Sequence, residues 1–255
     1  MTADLPANVM PGAEPAFFEG GPIGVLVLHG FTGNPGSMRT LAERLAAAGF
    51  TVDLPLLPGH GTVIEDMIAT GWSDWLACVE DRYAALAERC EQVVVVGLSM
   101  GGALTAWLGS EHPEIAGLVC INAVVSVPPG MREAVQEVLA SGADRFEGIG
   151  SDIAEPGVTE LAYPETPLAP LLTMFDAADN LGDRMSRITS PLLIITSRQD
   201  HVVPPENSDL LAASVSGPVE RIWCDRSYHV VTQDYDRETV FDATVGFATK
   251  VTAAG

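Results

Sequence analysis

The sequence predicts an α/β domain: a mostly parallel central sheet flanked by helices, with a small helical insertion. Three observations predict it. Apolar runs of strand length alternate with longer segments at helical spacing, which implies crossover connections with helices on both sheet faces. The run Val93-Val94-Val95-Val96 is too β-branched and too uniformly apolar for a strand with one wet face. The alternation then lapses over 126–187, where Pro, Gly, Asp and Glu gather around apolar clusters. With 255 residues, 47% of them hydrophobic and 18% charged, the chain can bury one sizeable core and still carry an insertion.

The elements follow in order. Residues 24–28 (GVLVL) read as the first strand, and 37–48 as a helix with Ser37 as its cap and Gly49 as its stop. Residues 51–54 form a short strand that leads into the turn Leu57-Pro58-Gly59-His60-Gly61. Residues 73–89 are helical, with Trp75, Val79, Tyr83 and Leu86 on one face. The Val93–Val96 strand is central, a helix follows it to about Ser110, and 118–122 is the next strand. Candidate helices at 132–139 and 170–178 fall in the lapse, and strands resume at 192–196 and 221–224 before a last helix over 237–249. The expected division is a core of residues 1–125 and 188–255, with 126–187 as an inserted cap.

Composition excludes several functions. The net charge of −21 argues against a nucleic-acid partner and against docking on anionic membranes. Solubility is its simplest use; the same field favours neutral substrates and expels an anionic product. Residues 92–110 carry no charge and are long enough to mimic a membrane span. Gly97, Ser99, Gly101 and Gly102 interrupt them, so a buried strand and a buried helix are expected, with no stable membrane insertion. Cys78 and Cys90 read as sharing one helix about 18 Å apart, too far to bridge. Together with Cys120 and Cys224 they suit free thiols in a reducing compartment. Residues 1–10 lack a basic start and an apolar stretch, so no signal peptide is expected and the cytoplasm is the expected location. No Cys/His/Asp spacing suggests a metal, and no Gly-rich phosphate loop suggests a nucleotide, so no cofactor is expected. A monomer or homodimer is expected.

The chemistry concentrates at Gly97-Leu98-Ser99-Met100-Gly101-Gly102. A Gly-x-Ser-x-Gly motif alone is weakly specific. Here it ends the Val strand and opens a helix, the setting of a nucleophile elbow. Acyl transfer by such a serine needs a base, a group that orients the base, and donors for the developing oxyanion. The acid should follow a later strand, and Asp200 does so; Asp225 ranks second because it lies only four residues before the candidate base, on the same loop. His229, after the last strand, is the candidate base. His29 and His60 read as turn-shaping groups, His112 as a surface residue, and His201 as pointing away from the site. The oxyanion donors are the backbone N–H groups of Met100, after the nucleophile, and Phe31, in the loop after the first strand.

Taken together, His29-Gly30-Phe31-Thr32-Gly33, Pro58-Gly59-His60-Gly61, Gly97-Leu98-Ser99-Met100-Gly101-Gly102, the Asp-x-x-Val-x-Pro segment at Asp200 and Ser227-Tyr228-His229-Val230 make the chain resemble the α/β-hydrolase family over nearly its whole length. It is most similar to the small bacterial carboxylesterases and monoacylglycerol lipases. The resemblance implies a triad of Ser99, Asp200 and His229, an oxyanion hole from Phe31 and Met100, and a small helical cap over an acyl pocket. It implies hydrolysis of neutral carboxylic esters with short- to medium-length acyl chains, monoacylglycerols among them. A lactonase, thioesterase or perhydrolase using the same triad is the second reading, and a non-catalytic ligand receptor the remote one. Tyr228 departs from the family, whose members often carry Gly there; flanking the base, it is expected to narrow the pocket.

Overall fold

The computed structural model describes residues 8–148 and 150–253, so most of residues 1–10, where no signal peptide is expected, lies outside the described residues. In chain order the first elements are β1 (Ala16–Phe18), β2 (Ile23–Leu28), α1 (Arg39–Ala47), β3 (Thr51–Leu54), α2 (Ile64–Ile68), α3 (Trp72–Ala87), β4 (Gln92–Leu98), α4 (Met100–Glu111) and β5 (Gly117–Ile121). There follow α5 (Met131–Ala140), β6 (Arg145–Glu147), β7 (Glu165–Pro167), α6 (Leu168–Gly182), β8 (Leu192–Ser197), α7 (Glu206–Ser214), β9 (Val219–Cys224) and α8 (Arg237–Thr252).

Seven strands make one sheet in the order β1-β3-β2-β4-β5-β8-β9. Only the edge strand β1 runs antiparallel to its neighbour; the other pairings are parallel. The Val run explains why β4 lies at the centre. Val93 and Val95 pack on one face with Trp75 and Val79 of α3 and Leu104 of α4. Val94 and Val96 pack on the other with Leu41 and Leu45 of α1 and Phe241 and Phe247 of α8. All four are at most 4% exposed, and each contributes roughly 1.5–3 kcal/mol of apolar burial. The uncharged stretch 92–110 divides into β4 and α4, and α4 is buried on nearly every side. Among the described residues no helix is long and apolar enough to cross a membrane.

Local differences from the sequence reading have local causes. Ser37 does not cap α1. It ends a short 3₁₀ turn whose cap is Asn34, with Asn34 Oδ1 accepting the Gly36 N–H at 2.9 Å, and α1 begins at Arg39. Helix α3 ends at Ala87, so Cys90 lies beyond it rather than sharing the helix with Cys78; all four cysteines are free. The strand β1, the short helix α2, the helix α7 and a separate two-stranded sheet of β6 and β7 were not anticipated. The strands among them are three residues long, too short to display a period, and α7 has little amphipathic contrast. The segment between β5 and β8 holds α5, α6 and that small sheet, which lie over the carboxyl ends of the parallel strands where such sheets bind ligands.

The passage from β4 into α4 is sterically tight. A methyl on Gly97 would lie 2.0 Å from the Gly101 carbonyl oxygen, and one on Gly101 would lie 2.4 Å from the Leu28 carbonyl oxygen. Gly97→Ala is therefore expected to destabilise the fold by at least about 1–3 kcal/mol through overpacking. Gly246→Ala, inside α8 where a methyl meets nothing within 4 Å, is expected to stabilise it by about 0.5–1 kcal/mol. Thermal unfolding of the two variants should move in opposite directions, by roughly 2–4 °C per kcal/mol.

Candidate active site

Ser99 sits at the β4–α4 junction with φ 57° and ψ −116°. A non-glycine residue there is strained, and the neighbours hold it: its N–H donates to the Ile121 carbonyl at 2.9 Å, and its carbonyl accepts from Ala103 at 3.1 Å and Val124 at 3.3 Å. The loop after β2 passes directly beside it, since a methyl on Gly30 would lie 3.3 Å from Ser99 Cβ. Met100 is the first residue of α4, so its N–H belongs to the helix-start donors that lack an intrahelical acceptor. Phe31, in the Gly30 loop, lines the same cavity as Ser99 and His229.

Asp200 follows β8 and His229 follows β9, and the two meet: Asp200 Oδ2 lies 2.7 Å from His229 Nδ1. The other carboxylate oxygen accepts the N–H groups of Val202 and Val203 at 2.8 Å each. With Oδ1 so occupied, Oδ2 is the acceptor for Nδ1–H, which leaves His229 Nε2 free of the proton. Burial disfavours the charged imidazolium, but the hydrogen bond and charge of Asp200, joined by the charges of Glu160 and Asp152, outweigh it and hold His229 above its ordinary 6.5. Burial lifts the Glu160 carboxyl up to about 7, against the pull of His229. Asp225 instead faces Arg198 at 2.8 Å on the exposed surface.

The loop beside Ser99 is fixed by a buried histidine. His29 Nδ1 is 3.0 Å from the Gly30 carbonyl, and Nε2 accepts the Leu57 N–H at 3.1 Å. Those partners assign the neutral Nδ1–H tautomer, and burial lowers the pKa to about 3. His60 is also buried and neutral, lowered by burial to about 4, with Nδ1 donating to Pro58 O at 3.0 Å. Trp75 donates to the same carbonyl at 3.0 Å and packs edge-on against both His60 and Phe31. His112 joins α3 and α4, its Nε2 2.7 Å from Glu80. Burial pushes the thiols of Cys120 and Cys224 up to about 12 and that of Cys78 up to about 11, which removes them as nucleophiles near neutral pH.

The cavity over Ser99 opens to solvent, and with that open space counted it spans about 1080 Å³. Val124, Leu171, Met174, Phe175 and Val203 supply an apolar wall, and Glu160 and Asp152 are acidic groups on it. Tyr228 does not narrow this cavity. Its ring turns to His201, with centroids 4.5 Å apart, and it is absent from the lining. Several residues near the site escaped the sequence reading, Asn122 and Asn207 among them. Asn122 follows β5 at φ 44° and donates to the His229 carbonyl at 2.7 Å. Asn207 Oδ1 accepts the N–H groups of Val125 and Ser126, at 2.8 Å each, where the chain leaves β5. An Asn directly after an apolar strand was a readable signal for the first, because Asn tolerates positive φ. Asn207 left no such signal. Among the described residues no group of three or more His, Cys, Asp or Glu side chains is placed to hold a metal ion.

A model of the alpha/beta hydrolase family matches residues 25–243. The chain is 46% identical over 246 residues to a thermostable monoacylglycerol lipase of Bacillus sp. (strain H-257), covering 95% of this chain and 96% of that one. It is 30% identical over 247 residues to a carboxylesterase of Bacillus subtilis (strain 168), covering 93% and 97%. A solved structure of a metagenome-derived lipolytic enzyme superposes with a TM-score of 0.91 at 43% identity, covering 95% of this chain and 99% of the other.

The buried histidines yield a test. Their folded pKa values lie below the unfolded 6.5, so the stability they support is present above pH 6.5 and is lost as pH falls toward 4 and then 3. Nitrogen-detected NMR titration should show His29 and His60 neutral from pH 8 to pH 5, with His29 protonated at Nδ1, while His229 titrates above 6.5. A His29 that charges near 6.5 contradicts the assignment. Thermal midpoints should decline across the same acidic window.

Proposed function

The chain belongs to the alpha/beta hydrolase family, and from that premise we propose that it is a serine hydrolase of neutral carboxylic esters with short- to medium-length acyl groups, monoacylglycerols among them. The observation that carries the proposal is the Asp200–His229 pair at 2.7 Å, opening onto the cavity that also holds the strained Ser99. In this reading Ser99 Oγ attacks the ester carbonyl, and His229 Nε2 takes its proton and then passes it to the departing alcohol. Asp200 fixes the tautomer and offsets the imidazolium charge. The N–H groups of Phe31 and Met100 receive the oxyanion, with the start of α4 adding its positive dipole end. Water activated by His229 then releases the acyl group.

The 126–187 segment acts in this reading as the cap whose apolar wall receives the acyl chain. The acidic wall and the net charge of −21 suit a neutral substrate and repel the carboxylate product. No cofactor takes part. Four free thiols support a reducing, cytoplasmic setting, and a monomer or homodimer fits a site built within one chain.

Assays with p-nitrophenyl esters graded by acyl length, beside monoacylglycerols, should give turnover that peaks at short or medium chains. Thioesters and lactones in the same panel separate the second reading. Ser99→Ala should lower kcat by about 10⁴–10⁶-fold without unfolding the protein; a folded variant with near-native turnover removes Ser99 from the mechanism.

His229 must be neutral to act as base. Its raised pKa means that it charges at a higher pH than an ordinary histidine, so kcat/KM for a neutral ester should fall on the acid side through a midpoint above 6.5. A pH profile from 5 to 9 measures that midpoint.

A further inference from the structure

The residues that hold the base in place come from an unexpected part of the chain. Asp152 lies in the irregular stretch between β6 and β7, inside the insertion, and its side chain is 11% exposed. Its Oδ2 accepts the N–H of His229 at 3.0 Å and the N–H of His201 at 3.1 Å. Its Oδ1 lies 2.8 Å from His201 Nδ1, and its own carbonyl accepts the Val230 N–H at 3.1 Å. One residue of the insertion thus ties together the chain immediately after Asp200 and the chain at His229.

A second clasp lies beside it. Asp234 Oδ2 accepts the N–H groups of Tyr228 and Ala154 at 2.8 Å each, and Oδ1 accepts that of Glu155 at 3.0 Å. Arg237 pairs with Glu155. Residues 152–155 are therefore fastened along the base loop, while α5 and α6 make the distant part of the insertion. At the other end of His229 the carbonyl is held by Asn122. The main chain of His229 is gripped at both ends by groups outside the triad, and its ring by Asp200.

Resting on the assignment of Ser99, Asp200 and His229, we propose that Asp152 is a positioning residue for the reaction, carried by the insertion, which sets the main chain of the base and adds a negative charge beside it. Hydrogen bonds from two N–H groups hold that carboxylate in place. The charged and titratable groups facing His229 are Asp200 from the loop after β8 and Asp152 and Glu160 from the insertion, with His201 on the far side of Asp152. Each of the three carboxylates favours the imidazolium that forms when Ser99 gives up its proton. The insertion then has two duties: it walls the cavity, and it completes the base.

Asp152→Asn and Asp152→Ala test this. The amide oxygen can still accept both N–H groups but carries no charge; the methyl does neither. Asp152→Ala should lower kcat on p-nitrophenyl butyrate about 10–100-fold with KM within about threefold, since small displacements of a catalytic group cost that much. Asp152→Asn should recover most of kcat, yet the acid midpoint of kcat/KM should move to lower pH in both variants. NMR titration of His229 in Asp152→Asn should show the same downward shift with no turnover required, and thermal unfolding checks that each variant is folded. Unchanged kcat and acid midpoint in Asp152→Ala overturn the proposal. So does a rise in KM alone, which makes Asp152 a substrate contact, or an unmoved His229 titration in the Asn variant. Failure of the esterase assignment itself looks different: the native protein turns over no ester, while the NMR comparison still decides the role of Asp152.

Discussion

Ser99 stands at φ 57° in a turn whose flanking residues, Gly97 and Gly101, have no room for a Cβ. The helix α4 starts so close to β4 and β2 that Cβ atoms at Gly97 and Gly101 would enter the van der Waals radii of backbone carbonyls. That contact sets the geometry of everything else. It fixes Ser99 at the turn between strand and helix and brings the Gly30 loop beside it. Strain of this kind persists only in a rigid surround. Here the surround is the apolar burial on both faces of β4 and the nearly complete burial of α4.

The second requirement is that buried polar groups find partners, because an unpaired one costs about 1–3 kcal/mol. The site meets it with few residues. Both oxygens of Asp200 are used, one by backbone N–H groups and one by His229. His29 stays neutral because it is fully buried, and in that form its two ring nitrogens tie the Gly30 loop to the turn at Leu57. Asn122 and Asp152 hold the main chain of His229 from opposite sides. The carboxylates near His229 push its proton affinity up while burial pushes it down, and the balance lies above an ordinary histidine.

The insertion is thereby less separate than its composition suggests. Tyr163 shows this again: its hydroxyl accepts the Thr62 N–H at 2.9 Å and donates to the Gly59 carbonyl at 2.8 Å, and its own N–H donates to Thr32 O at 3.1 Å. The returning part of the insertion is pinned to the core loops around Ser99, whereas α5 and α6 are joined to each other by the ion pairs of Arg132 with Asp176 and Asp179. The stretch fastened to the core loops and the α5–α6 pair are different parts of one segment.

The sequence by itself determined what depends on near neighbours. A β-branched run buried on both faces, the glycines flanking Ser99 and the alternation of periods made the parallel sheet and the elbow legible, because each is a local steric or burial requirement. The chain order of Ser99, Asp200 and His229 on loops after successive strands was legible for the same reason: strand ends can be read from periodicity. Only the tertiary structure decided which irregular segments meet. Asp152 reaches His229 across 77 positions and Asn122 reaches it across 107. No period marks such pairs, and a carboxylate in a loop looks the same whether it is solvated or shared. The ring of Tyr228 likewise turned away from the cavity because His201 offered it an edge to pack against, a contact that exists only once the loops after β8 and β9 stand side by side.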